Sequence, residues 1–313
     1  MRVVFIGTPE FAVPPLQALL DQSYDICAVF TQPDRPSGRG HRLQASPVKI
    51  LAQSRNIPVF QPEKIRSEEN RSIFTSLEPD FIVVAAYGQI LPGWLLKAAR
   101  LAAVNIHGSL LPKYRGAAPI PWSIMNGDNF TGITTMLMQE KLDAGPILMQ
   151  KTLPIPLTVT SGELADELSQ AGSQLLIETL DGIRMNAIKP VIQDENLVTW
   201  APRISKESAR LSWDKKALPL HNQIRAMNPW PGAYTEFQGQ RLLVWRSLPE
   251  SGGEDKGIQG TFLGVADQCL RVQCAEGTIL DLLELQAPAK KRVTGREFAS
   301  GMRLRRGDRL FGL

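Results

Sequence analysis

The chain has 313 residues, 43% of them hydrophobic and 21% charged, which excludes a disordered or fibrous polymer and predicts two globular domains. Its net charge of +4 is uneven: residues 206–313 hold 17 Lys/Arg against 12 Asp/Glu, and residues 1–205 hold 18 against 19, so an anionic partner on the C-terminal part and a merely solvated basic surface both stay open. Three cysteines without a Cys-x-x-Cys pair argue against a disulfide framework and a zinc site, and the lack of a signal-peptide pattern or a long apolar run predicts no membrane span and a cytoplasmic protein.

The chain opens on a continuous apolar run over 3–6, the pattern of a strand buried on both faces of a parallel sheet. A turn from Gly7 leads into a helix ending near residue 20. Pro9 and Ala12 stand where a Gly-x-Gly-x-x-Gly loop needs glycine, so dinucleotide binding is not expected. A second strand follows over 24–30. Residues 31–45 are polar, rich in Gly and Pro, and carry Arg35, Arg39, His41 and Arg42. Such a stretch reads either as a plain surface loop or as a phosphate-contacting one. Helix (46–56), strand (58–60), helix (67–77) and strand (80–86) continue the alternation, and 87–92 is a turn.

The next stretch organises the chain. An apolar strand over 101–104 runs into Asn105 and His107, which lie at i and i+2 and so project to one face. That face falls at the carboxyl end of a strand, where open α/β sheets place ligands. Gly108 and Pro112 force a turn, and Gly116 allows close approach to a bound molecule. Polar donors followed by a rigid loop suit a reaction that builds negative charge on a carbonyl oxygen. On spacing alone, a satisfied structural histidine is an equal alternative.

Further on, 118–126 reads as a helix, 131–139 as a strand, 140–145 as a loop and 146–150 as a strand. Asp143, two residues before Gly145, reads as a turn former unless a nearby imidazole needs a charge partner. Thr160, Ser161 and Glu163 cap a helix running to about residue 184. Residues 190–208 read as a linker, and 214–227 as a helix broken by Asn228-Pro229-Trp230-Pro231. Short strands over 233–237, 242–246, 260–265, 270–274 and 279–285 suggest a small barrel or sandwich. Lys290, Lys291, Arg292, Arg303, Arg305, Arg306 and Arg309 add a basic C-terminal edge.

Asn105-x-His107, the run Ser109-Leu110-Leu111-Pro112, Arg115-Gly116, the downstream Asp143, the stretch 30–40 and Asn228-Pro229-Trp230-Pro231 together resemble the folate-dependent formyltransferases over essentially the whole chain. The resemblance implies an α/β fold: a Rossmann-like parallel-sheet formyltransferase domain over 1–189, a linker over 190–208 and an OB-like β-barrel, tRNA-binding, over 209–313. It implies transfer of the formyl group of 10-formyltetrahydrofolate to the α-amino group of methionine on initiator tRNA. Asn105 and His107 would then donate to the developing oxyanion, and His107 would manage the proton of the leaving nitrogen. Asp143 would orient His107. Ser109, Leu110, Leu111 and Pro112 would line the folate site, Arg39 and Arg42 would contact tRNA, no metal would be needed, and the protein would act as a monomer. A formyl-folate hydrolase, a formyltransferase acting on a small amine and a non-catalytic RNA-binding protein are the alternatives; the last leaves Asn105, His107 and Asp143 without a task.

Overall fold

The computed structural model of the chain describes residues 1–37, 42–250 and 257–312. They form two compact units. One comprises Met1–Pro119, Phe130–Pro154 and Ala165–Pro202; the other comprises Ile120–Asn129, Ile155–Leu164 and Arg203–Leu313. The boundary at Pro202 falls inside the stretch 190–208 that reads as a linker. Residues 191–202 are in fact tied to the first unit, through Val191 to Ile147 and through the backbone pairing of Arg115 with Trp200.

The first unit holds, in chain order, β1 (Arg2–Gly7), α1 (Val13–Asp21), β2 (Asp25–Phe30), β3 (Arg35–Ser37), β4 (Arg42–Gln44), α2 (Pro47–Ser54), β5 (Val59–Phe60), α3 (Glu68–Leu77), β6 (Phe81–Ala85), α4 (Gly93–Leu96) and β7 (Ala102–His107). After α5 (Pro119–Met125) come β8 (Phe130–Leu137), β9 (Ile147–Pro154) and α6 (Ser161–Arg184). Seven strands pair in the order β5-β2-β1-β6-β7-β8-β9. The first five are parallel, and the chain reverses its direction of progress between β1 and β6.

The expected parallel sheet is therefore mixed, because β8 and β9 run antiparallel at one edge. Their connection, 138–146, is too short for the helical crossover that a parallel neighbour requires. The core follows from the apolar runs: Val3, Val4, Phe5, Ile6 and Phe81 to Val83 are fully buried. On one face Phe30 stacks on Phe60 at 4.9 Å and on Phe74 at 4.4 Å between ring centroids. Each such buried side chain contributes about 1.5–3 kcal/mol by leaving water.

Residues 31–45 are not a bare loop, since β3 and β4 pair as a short hairpin. Arg39 and His41, at its tip in sequence, lie outside the described residues; Arg42 lies in β4.

The second unit contains α7 (Ala217–Ala226), β10 (Tyr234–Phe237), β11 (Gln240–Glu250), β12 (Phe262–Ala266), β13 (Cys269–Gln273), β14 (Ile279–Gln286), β15 (Val293–Thr294) and α8 (Gly295–Gly301). Its strands pair antiparallel in the order β10-β11-β14-β13-β12, with β15 on β14. Trp213 fills the centre, stacked on Phe311 at 4.6 Å and donating its indole N–H to Thr235 at 2.9 Å. On α7, Arg225 is buried and donates to the carbonyls of Pro156 and Val159, and His221 donates to that of Leu157. These bonds explain why 155–164 groups with the C-terminal residues. Burial draws the Arg225 guanidinium down to about 10.

Candidate active site

Strand β7 is sandwiched between β6, where Val84 pairs with Asn105, and β8, where Thr134 pairs with His107. Period-2 alternation therefore puts the Asn105 and His107 side chains on one face, and both are buried, at 8% and 6% exposure. Among the described residues none hydrogen-bonds the Asn105 amide. A buried amide without a protein partner suits a ligand that brings its own acceptor.

His107 is differently engaged. Its Nε2 lies 2.9 Å from the Tyr114 carbonyl, and since a carbonyl only accepts, Nε2 carries a hydrogen. Its Nδ1 faces Asp143 Oδ2 at 3.8 Å, with both side chains nearly buried. Asp143 sits in the left-handed region at φ +47, and the same Oδ2 accepts the Gly116 N–H at 2.9 Å. The aspartate is thus a turn residue and a charge beside the imidazole at once.

Ser109 to Pro112 form the turn that follows β7, with a cis bond between Leu111 and Pro112. Its backbone is held by two residues that the sequence reading passes over. Thr134 Oγ1 donates to the Ser109 carbonyl at 2.6 Å and accepts the Leu111 N–H at 3.2 Å. Gln150 donates to the Leu111 carbonyl and to Thr134 Oγ1, both at 2.9 Å. Ser109 and Leu111 are consequently turned inward, whereas Leu110 and Pro112 are half-buried and reach the surface.

Gly116 serves a purpose other than the expected approach to a ligand. At φ +125, a Cβ there would lie 2.6 Å from the Ala201 carbonyl, so the residue lets the segment before Pro202 lie against the loop. Arg115 is fully buried beside it. Its guanidinium donates to Gln193 Oε1 at 2.8 and 3.0 Å and to Glu195 Oε1 at 3.0 Å. These bonds from Arg115, followed by one from Lys141, hold the Glu195 carboxyl below its usual range.

The structure thus brings Asn105, His107 and Asp143 to one place, with Ser109 to Pro112 alongside. Arg42 belongs to a separate hairpin, and the position of Arg39 is not described. Thr134, Gln150, Arg115 and Gln193 complete the frame; the polar residues at 134 and 150 inside strand runs were the available signal. Among the described residues no group of His, Cys, Asp and Glu could hold a metal ion, and no helix is long and apolar enough to cross a membrane.

Comparison with known proteins bears on both units. Residues 1–180 match the formyl transferase family model, and residues 203–303 match that of the formyl transferase C-terminal domain. The chain is 46% identical over 309 residues to the methionyl-tRNA formyltransferase of Trichlorobacter lovleyi, covering 99% of this chain and 96% of that protein. It is 44% identical to the enzyme of the same name from Bacillus velezensis, covering 98% and 96%. Among solved structures, the sugar 3N-formyl transferase WlaRD superposes with a TM-score of 0.66 at 19% identity, covering 93% of this chain and 99% of that one. HypX from Aquifex aeolicus in complex with tetrahydrofolic acid gives 0.61 at 19% identity, covering 96% and 47%.

Proposed function

The chain belongs to the formyl transferase family, and from that premise we propose that it transfers the formyl group of 10-formyltetrahydrofolate to the α-amino group of methionyl initiator tRNA. The observation that carries this reading is the match of full-length relatives named methionyl-tRNA formyltransferase across both units. On this reading the chain acts in the cytoplasm, on charged tRNA.

The donor supplies a formyl carbon already activated on nitrogen. The chain's residues then have to orient it, stabilise charge on its oxygen and manage one proton. The amide of the buried Asn105, which has no hydrogen-bond partner among the described residues, fits the formyl oxygen and donates to it as negative charge develops. In the present arrangement both nitrogens of His107 face protein groups, so the ring exchanges the Tyr114 carbonyl or Asp143 when it donates into the site. Asp143 orients the imidazole and compensates a positive ring. Leu110 and Pro112 give the half-buried surface on which the folate rests. Arg39, Arg42 and the exposed basic edge from Lys290 onward contact tRNA phosphates.

The test is incubation with 10-formyltetrahydrofolate and aminoacylated initiator tRNA. Formylmethionyl-tRNA is the expected product. Loss of the formyl group to water with the tRNA unmodified would replace this reading by a hydrolase.

A further inference from the structure

We propose that Gln193 is a positioning residue for Asp143, acting from outside the 104–119 stretch. The inference rests on the reading of Asp143 as the charge partner of His107. The Gln193 amide nitrogen donates to the Asp143 carbonyl at 2.8 Å and to the Gly145 carbonyl at 2.7 Å, bracketing the loop on either side of Ala144. Its Oε1 accepts two N–H groups of Arg115, at 2.8 and 3.0 Å. At 5% exposure both amide donors and the acceptor are used inside the protein.

Asp143 needs such support. Its φ of +47 lies in the left-handed region, which is sparsely populated even by aspartate. Within the loop the Ala144 N–H reaches the Lys141 carbonyl only at 3.4 Å, the long end of the range, so the loop geometry is set from outside. Arg115 directly precedes Gly116, whose N–H meets the Asp143 carboxylate. Backbone and side chain of Asp143 are thus fixed by two segments that bond to each other. Gly145 completes the fit, since a Cβ there would fall on the Leu137 carbonyl. Without Gln193 the loop relaxes and the carboxylate leaves its 3.8 Å station opposite His107.

Gln193→Leu removes all four bonds, whereas Gln193→Glu keeps an acceptor for Arg115 and loses the two donors. Both are made in the natural chain and in the Asp143→Asn background, and formyl transfer to methionyl-tRNA is followed alongside circular dichroism. A misplacement near 1 Å predicts a kcat lower by about 10- to 100-fold, with both KM values within about twofold. In the Asp143→Asn background either substitution should change kcat by no more than about twofold, because the group it positions is already disabled. An unchanged kcat, an equal loss in both backgrounds, a loss confined to KM, or unfolding of both variants overturns the proposal. Full activity of Asp143→Asn alone overturns the reading of the site itself; a disabled Asp143→Asn beside fully active Gln193 variants overturns only the role of Gln193.

Discussion

His107 Nδ1 and Asp143 Oδ2 face one another at 3.8 Å, and the oxygen that does so is the one already accepting the Gly116 N–H. One carboxylate oxygen therefore shapes a turn and addresses the imidazole, so the two roles are separable only by changing its charge.

Asp143→Asn makes that separation. Asparagine tolerates the left-handed backbone and offers an amide oxygen to Gly116. Stability is expected to change by less than about 1 kcal/mol, while kcat falls by about 100-fold or more. Near-normal turnover in a steady-state assay would leave Asp143 with the turn alone.

His107→Ala removes the ring and its hydrogen bond to the Tyr114 carbonyl. The cost in stability is about 0.5–1.5 kcal/mol, that of a lost intramolecular hydrogen bond. Transfer should fall by more than about 100-fold. If denaturation shows the expected loss but turnover persists within tenfold, equal to about 1.4 kcal/mol of barrier, the histidine is a structural residue.

Thr134→Val keeps shape and burial but breaks three hydrogen bonds around the Ser109–Leu111 turn. We expect a loss of about 2–4 kcal/mol in stability and a raised KM for the formyl donor. Thr134→Ser should restore both. A serine variant as weak as the valine one would mean that the methyl packing, not the hydroxyl, holds the turn.

Lys290 and Lys291 are exposed next to Arg292, which lies over the Trp245 ring at 3.9 Å. Replacing both lysines by Gln should weaken tRNA binding and flatten the slope of log K against log salt by about one to two. An unaltered slope places the tRNA elsewhere.

His221 makes the C-terminal unit pH-sensitive. Burial draws its pKa below the usual value, against the opposing hydrogen bond to the Leu157 carbonyl. The neutral ring donates through Nε2 and accepts from Ser247 through Nδ1. Above about pH 6.5 neither folded nor unfolded chain protonates it, and its contribution is fully present. Below that, the unfolded chain takes up a proton that the folded one resists, so stability falls with decreasing pH by at most about 1.4 kcal/mol per unit. Denaturant melts between pH 7 and 5 should show this slope reduced in His221→Gln. Identical slopes would remove His221 from the titration.

The sequence by itself determined the strand–helix alternation of the first unit, the short strands of the second, and the shared face of Asn105 and His107. These are consequences of local periodicity: two for a strand, 3.6 for a helix, interrupted by Gly and Pro. Local chemistry was also legible where it went unread. Thr294 and Glu297 form a capping box that opens α8, a helix absent from the sequence reading. What the tertiary structure alone decided are pairings between residues far apart in the chain. Asp143 reaches His107 because β7 and the loop after β8 are brought together by the sheet. Gln193 reaches Asp143 and Arg115 because 191–202 folds back on the first unit, where its proline-flanked sequence reads as a linker. The assignment of 155–164 to the C-terminal unit likewise follows from a buried arginine and histidine whose partners are main-chain carbonyls. Every residue offers the same carbonyl, so no side-chain pattern announces such a contact, and only the folded chain selects which one is met.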